Sequence, residues 1–104
     1  MSVAGRLKTR LVLEAPIETP DGQGGVTRSY SAVATMWAAV TSLNARESIE
    51  ADAPGATRRV RIVLRDEFSL TFAHRFRDGA RIYRIAALTV RDRFIEIDAD
   101  YRIG

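Results

Sequence analysis

Residues 57–65 read Thr-Arg-Arg-Val-Arg-Ile-Val-Leu-Arg, which is the clearest two-residue alternation in the chain. Successive side chains of a β-strand point to opposite faces of a sheet, so this stretch predicts a strand with one apolar and one cationic face. The apolar positions are Val60, Ile62 and Leu64, and the cationic positions are Arg59, Arg61 and Arg65. We expect the apolar face in the core and the arginines outside it.

The two ends of the chain alternate in the same way and predict half-buried strands. Near the start, Leu7, Leu11 and Leu13 share one face, and Lys8, Arg10 and Glu14 share the other. Near the end, Ile95, Ile97, Ala99 and Tyr101 alternate with Glu96, Asp98 and Asp100. Turns are predicted at Asp78-Gly79 and at residues 91–93, because Asp-Gly favours the hairpin turns that match strand twist. The second half of the chain is therefore predicted to be a β-meander.

A glycine-rich loop follows the first strand: Asp21-Gly22-Gln23-Gly24-Gly25. Pro16 and Pro20 are expected to break regular strand pairing just before it. Its three glycines permit positive φ angles and either a tight or a mobile excursion. The alternation resumes over Val26–Ser31, which predicts a long-looped hairpin. No nucleophile, base or metal ligand accompanies the loop, so it favours a role in contact rather than in catalysis.

The middle of the chain changes from a strand pattern to a helix pattern. Residues 34–43 are apolar on both faces, which predicts a strand covered on both sides with Trp37 as a core anchor. Asn44 and Glu47 then have the spacing of a capping box, and a short helix is predicted to end at Pro54-Gly55. Because an isolated helix below roughly 12 residues is not stable in water, this helix must dock on a surface or move.

These patterns together predict an all-β fold, a small antiparallel β-barrel with long loops and one short inserted helix. Five or more short strands in 104 residues favour closure, because a closed sheet has no exposed edges. The length, and the absence of a linker or an internal repeat, predict that residues 1–104 form a single domain.

The composition excludes several classes of protein. The chain is 46% hydrophobic and 28% charged, and no apolar run approaches the roughly 20 residues of a membrane span. It has no cysteine, which excludes disulfides, thiolate catalysis and zinc–cysteine sites. The first residues lack the apolar core of a secretory signal. We expect an intracellular place of synthesis and no contact with a membrane.

Groups that could support catalysis or metal binding are sparse in the sequence. His74 is the only histidine and lies next to Arg75-Phe76-Arg77 rather than next to carboxylates. Asp98 and Asp100 share a strand face but lack the additional ligands of a calcium or magnesium loop. The glycine loop is not followed by the Lys-Ser or Lys-Thr of a phosphate-binding loop. The sequence predicts a protein that is not an enzyme and that has no cofactor and no metal site.

Arginine is the dominant basic residue, with fifteen arginines against one lysine and a net charge of +3. This bias can reflect recognition of phosphate or carboxylate, or only a GC-rich coding sequence. An arginine face without interleaved aromatic residues suits protein carboxylates as well as nucleic acid. One hypothesis is a head-to-tail ring in which the arginine face of one copy meets the acidic face of the next, formed by Glu96, Asp98 and Asp100. The alternative is a free nucleic-acid-binding barrel.

The order of these features resembles the head-tail joining proteins of tailed phages, also described as head-closure or stopper proteins, with relatives in gene transfer agents and prophages. The resemblance covers nearly the whole chain. The stretches that carry it are Gly5–Leu11, Asp21–Gly25, Trp37–Val40, Glu47 with Ala51, and Arg81–Ile85.

The resemblance implies a structural protein of a virion or phage-like particle, made in the bacterial cytoplasm. It implies a homo-oligomeric ring of six or twelve copies that continues the DNA channel and closes it to retain packaged double-stranded DNA. The implied partners are an adaptor or portal-side connector protein and a tail terminator or tail-tube protein. The first candidate for a loop that enters the channel includes Asn44, Arg46, Glu47, Ile49 and Glu50. The glycine loop, Asp21–Gly25, is the second candidate and could instead dock on a neighbouring ring.

Overall fold

The computed structural model describes residues 7–43 and 55–103. Six antiparallel strands close into a barrel in the order β1-β2-β3-β6-β5-β4, with β4 pairing back onto β1. The strands are β1 (Thr9–Pro20), β2 (Val26–Ser42), β3 (Thr57–Arg65), β4 (Arg75–Asp78), β5 (Arg81–Arg91) and β6 (Phe94–Arg102). The prediction of an all-β, small antiparallel barrel is confirmed. The predicted short helix, which begins at Asn44, lies outside the described residues.

The interior of the barrel is filled by side chains from every strand. Alternation correctly located the inner faces of β3 and β6, since Ile62, Leu64 and Ile97 are fully buried. The buried hydrophobic residues are Leu11, Leu13, Met36, Ala38, Val60, Ile62, Leu64, Phe76, Tyr83, Ile95, Ile97 and Ala99. Burying a large apolar side chain contributes about 1.5–3 kcal/mol, so this cluster is the main source of stability.

The first hairpin differs from its prediction at the two prolines. Pro16 and Pro20 do not interrupt pairing: β1 remains in register with β2 from Ala15 through Pro20. Beyond Glu14, β1 pairs only with β2, since its pairing with β4 covers residues 12–14. A proline at such an edge removes no ladder hydrogen bond, because its missing N–H can face the unpaired side. The connection to β2 is a five-residue turn, not a long loop.

Trp37 is not a core anchor. It is 53% exposed, whereas its neighbours Met36 and Ala38 are buried inside the barrel. Adjacent residues of a strand alternate between faces, so Trp37 lies on the outer face of β2, which is not covered on both sides. The guanidinium of Arg10, which is paired with Trp37 across the β1–β2 ladder, lies 5.5 Å from the ring centroid.

The two predicted turns of the meander are present. Asp78 pairs with Arg81, so Gly79 and Ala80 form the β4–β5 turn, and Gly79 has φ +61°. The β5–β6 turn contains Asp92, whose φ of +54° lies in the left-handed region. The longest described loop connects β3 to β4, and its Phe68 and Leu70 pack against the core. These tight turns and this packed loop fix the positions of the outer-face residues described next.

Candidate assembly surfaces

The β1–β2 hairpin continues beyond the barrel, and we call residues 15–31 the arm. Its strands pair only with each other, from Ala15 opposite Ser31 to Pro20 opposite Val26. Six paired residues at about 3.3 Å each make a ribbon roughly 20 Å long. Ile17 and Val26 on the arm are 46% and 60% exposed. The arm therefore presents apolar side chains without a core beneath them.

The glycine loop forms the tip of the arm and is a tight turn. The Asp21 carboxylate accepts hydrogen bonds from the backbone N–H of Gln23, at 2.7 Å, and of Gly25, at 3.1 Å. The Asp21 N–H also donates to the Gly25 carbonyl at 3.1 Å. Gly22 and Gly24 have φ of +81° and +86°, which favours glycine. The structure thus brings all five predicted loop residues together at one exposed tip; their role in docking or in the channel stays a prediction.

The other predicted loop residues lie outside the described part of the chain. They are Asn44, Arg46, Glu47, Ile49 and Glu50. The described residues on either side of this segment are Leu43, which follows β2, and Gly55, which precedes β3.

The predicted arginine and acidic faces are one surface, not two. β3 pairs with β6, which places Arg59 opposite Asp100 and Arg61 opposite Asp98. The Arg61 Nε donates to the Asp98 Oδ1 at 3.1 Å. The hypothesis assumed two separate patches because the sequence does not reveal which strands are neighbours. The remaining predicted members, Arg65 and Glu96, lie on the same outer face, and Glu96 pairs with Arg91 of β5 at 3.2 Å.

A groove crosses the outer face of β2, β3 and β6 beside this mixed-charge surface. Its apolar lining residues are Ala39, Leu43, Val63 and Phe94. Its charged lining residues are Arg61, Arg91, Asp92, Arg93 and Glu96. Strand register places Ala39 opposite Val63, and Val63 opposite Glu96, so the lining follows one continuous row across the sheet. The sequence signal for this groove was the presence of apolar residues at outer-face positions of β2 and β3.

Basic residues surround the exposed Trp37 at the edge of this outer face. Lys8 and Arg65 line the same shallow depression as Trp37, and Arg10 lies over its ring. Arg65 in turn pairs with Phe94 across the β3–β6 ladder. Cationic and aromatic side chains therefore do interleave on the folded surface, although no single strand shows that pattern.

A buried ion cluster joins the arm to the barrel, and the sequence did not predict it. Glu14 lies on the outer face, as expected, but its side chain is only 8% exposed because Arg75 and Arg77 cover it. Their Nε atoms donate to the two carboxylate oxygens at 2.8 and 3.0 Å. Burial acts to raise the pKa of Glu14, but the hydrogen bonds and charges of the two arginines together hold that pKa below its ordinary value. The Arg75 guanidinium also lies 3.7 Å from the ring centroid of Tyr30 in the arm.

The candidate catalytic and metal positions have structural surroundings. The Thr71 N–H donates to the His74 Nδ1 at 3.1 Å, which closes a turn before β4. Over residues 7–43 and 55–103, no group of three or more histidine or carboxylate side chains is arranged to hold a metal ion. Within the same residues, no helix has the length and apolarity needed to cross a membrane.

Comparison with known proteins gives one family and two similar structures. A sequence profile of phage head completion proteins matches residues 3–101. A chain in the virion of a native gene transfer agent particle is 31% identical, with 94% of this chain and 96% of that chain covered and a TM-score of 0.73. The solution structure of a protein from Shigella flexneri 2a is 25% identical, with coverages of 100% and 97% and a TM-score of 0.69. No curated protein matches the chain.

Proposed function

The chain belongs to the phage head completion protein family, and on that basis we propose that it forms a ring of six or twelve copies that joins head to tail. Membership makes it a structural protein of the head-tail region of a virion or phage-like particle. The resemblance drawn from the sequence is thereby confirmed. Ring formation, continuation of the DNA channel and its closure are the proposal.

The single observation that carries the proposal is the match to a virion chain over almost the full length of both molecules. A TM-score of 0.73 at 31% identity means that the fold and much of the sequence are shared with a protein that is part of an assembled particle. A subunit of a closed ring must present two different surfaces to its two neighbours. The arm and the outer-face groove provide two such surfaces here.

Other parts of the chain supply candidates for contact above and below the ring. The arm tip, Asp21–Gly25, is exposed and rigidly turned, which suits docking onto an adaptor or portal-side protein or onto a tail terminator or tail-tube protein. Residues 44–50 are the candidate for the loop that enters the channel and retains packaged double-stranded DNA. Residues 1–104 serve as one connector domain in this proposal.

Cryo-electron microscopy of particles that contain the chain tests the proposal directly. We expect a closed ring of this chain between the head and the tail, with a continuous lumen along its axis. Native mass spectrometry of the purified chain, mixed with its neighbouring virion proteins, gives the copy number. A single copy per particle, or a position away from the head-tail interface, contradicts the proposal. A monomer in isolation does not, since weak subunit contacts gain strength on a multivalent platform.

A free nucleic-acid-binding barrel is the second candidate, and Trp37 is the observation that favours it. An exposed aromatic ring with Arg10 over it is the combination that stacks bases and contacts phosphates in single-strand-binding proteins. This function requires the monomer to bind single-stranded DNA with an affinity that falls steeply with salt. It also requires Trp37→Ala to weaken that binding, whereas Phe72→Ala, which removes another exposed aromatic residue, leaves it unchanged.

A further inference from the structure

We propose that the arm of one copy lies in the outer-face groove of the next copy, so that neighbouring subunits are joined head to tail. This inference rests on the proposed ring and specifies which surfaces form it. It assigns the arm a partner within the ring, rather than a partner in the head or in the tail.

The first argument is that the arm lacks support within its own chain. A two-stranded ribbon with no third strand and no core is only marginally stable in water. The arm has this construction, and its apolar residues Ile17 and Val26 are about half exposed or more. Along the β3-facing side of β2, strand pairing begins only at Ala39, so the residues of β2 in the arm have a free edge within the described chain. A surface that covers the arm would stabilise it.

The second argument is the chemistry of the groove. Ala39, Val63 and Phe94 give it an apolar lining on a face that otherwise carries charges. Trp37, two residues before Ala39 on the same face, extends this apolar character. Exposed tryptophan and arginine residues beside an apolar surface are the composition typical of energetically important interface centres. The groove therefore suits a partner with small apolar and β-branched side chains, such as those of the arm.

The third argument is that the arm cannot fill the groove of its own chain. The arm and the groove lie at opposite ends of the same continuous strand, β2, with the arm ending at Ser31 and the groove beginning at Ala39. Eight residues of extended chain separate these points by roughly 26 Å. The occupant must come from another molecule. Two different surfaces on one subunit produce a heterologous contact, which can close into a ring.

The charges of the two surfaces are also complementary. Asp21 is exposed at the arm tip. The groove lining has three arginines, Arg61, Arg91 and Arg93, against the two carboxylates of Asp92 and Glu96. A negative tip is therefore attracted to a surface with an excess of positive charge, and this sets the direction in which the arm enters.

Site-directed cross-linking tests the inference cleanly, because the natural chain contains no cysteine. Gln23→Cys places a thiol at the arm tip, and Thr41→Cys places one in the groove. We expect particles assembled from the double variant to give a ladder of covalent multimers with a short bismaleimide reagent. Each single variant should give none. The matched control is Gln23→Cys with Ala80→Cys, an exposed turn position away from the groove, which should also give no ladder.

The outcomes separate this inference from the ring itself. A ring seen by cryo-electron microscopy without a Gln23–Thr41 ladder overturns the arm-in-groove contact and leaves the proposed function intact. Cross-linking of Gln23→Cys to a head or tail protein, or to Ala80→Cys, also overturns it. Absence of any ring overturns both proposals.

A groove variant provides a second measurement. Val63→Arg places a charge on the groove lining at an outer-face position, so the barrel should still fold with an unchanged circular dichroism spectrum. We expect it to abolish the cross-linked ladder and ring formation. Val90→Arg makes the same change at an exposed position away from the groove lining and should leave both intact. Normal rings from Val63→Arg contradict the inference.

Discussion

The barrel and the arm are built from the same two strands, but only the barrel has an interior. Where β1 and β2 belong to the barrel, Leu11, Leu13, Met36 and Ala38 are buried. Where the same strands continue into the arm, side chains on both faces meet solvent and Ile17 is 46% exposed. Strand pairing extends through both regions without a gap other than one bulge after Leu13. Hydrogen-bonded pairing therefore sets the shape of the arm, whereas apolar burial sets the stability of the barrel.

Two phenylalanines give the strongest test of this difference. Phe76 is fully buried in β4, and Phe72, four residues earlier, is 65% exposed. We expect Phe76→Ala to reduce the free energy of unfolding by about 3–5 kcal/mol, because it leaves a cavity in the core. Phe72→Ala should change it by no more than about 0.5 kcal/mol. Urea denaturation followed by circular dichroism measures both values; equal losses would mean that stability does not come from the barrel interior.

Glu14 marks the boundary between the two regions, and its removal should have the next largest effect. Glu14→Gln keeps the shape of the side chain but removes the charge that Arg75 and Arg77 share. We expect a loss of roughly 1–3 kcal/mol, the range for a hydrogen bond to a charged group. Glu18→Gln, an exposed carboxylate within the arm, serves as the control and should have little effect on global unfolding. A Glu14→Gln variant as stable as the natural protein would show that the cluster does not stabilise the fold.

The pH dependence of stability follows from the direction of the Glu14 shift. The pKa of Glu14 in the folded state lies below its ordinary value of 4.5, so the unfolded chain takes up a proton first as the pH falls. The stabilisation from the charged carboxylate is therefore complete above pH 4.5 and is lost as the pH falls through the folded-state pKa. We expect the stability difference between the natural protein and Glu14→Gln to shrink below pH 4.5, since glutamine resembles the protonated acid. A difference that stays constant down to the acid transition would contradict this assignment.

The contrast also explains which features the sequence could predict. Alternation located Val60, Ile62 and Leu64 in the core because a barrel strand has one inner face, and side-chain direction depends only on the local backbone. It could not locate Trp37 or Glu14, because the exposure of an outer-face residue depends on what other strands place over it. Trp37 has no layer above it, and Glu14 lies beneath two arginines that follow it by more than sixty residues.

Strand neighbours were the second limit. Arg61 and Asp98 are separated by 37 residues, and their contact exists only because β3 and β6 are adjacent in the barrel. The groove arises in the same way, from single outer-face residues on three strands. The turns were predictable because Gly79 and the glycines of the arm tip meet a purely local requirement for positive φ.

A change in the arm tip should affect the arm alone. Gly22 has φ +81°, and an added Cβ would meet nothing within 4 Å, so Gly22→Ala adds backbone strain without a clash. The expected cost is about 1–2 kcal/mol, seen as faster amide exchange in residues 15–31 with no change in global unfolding. Gly22→Asn should be tolerated better, since asparagine adopts this conformation more readily. Slower unfolding or exchange changes in the barrel core would mean that the arm and barrel are one cooperative unit.

The smallest effect on folding is expected from the Arg61–Asp98 pair on the barrel surface. The two side chains are 45% and 29% exposed, so water and salt screen their attraction. A double-mutant cycle with Arg61→Ala and Asp98→Ala should give a coupling energy of about 0.2–1 kcal/mol that falls as salt increases. Because this pair adds so little to the fold, a loss of ring formation in Arg61→Glu cannot be attributed to unfolding and would report a contact between subunits. Arg61 also lines the groove, so unchanged ring assembly by Arg61→Glu would remove this end of the groove from the interface.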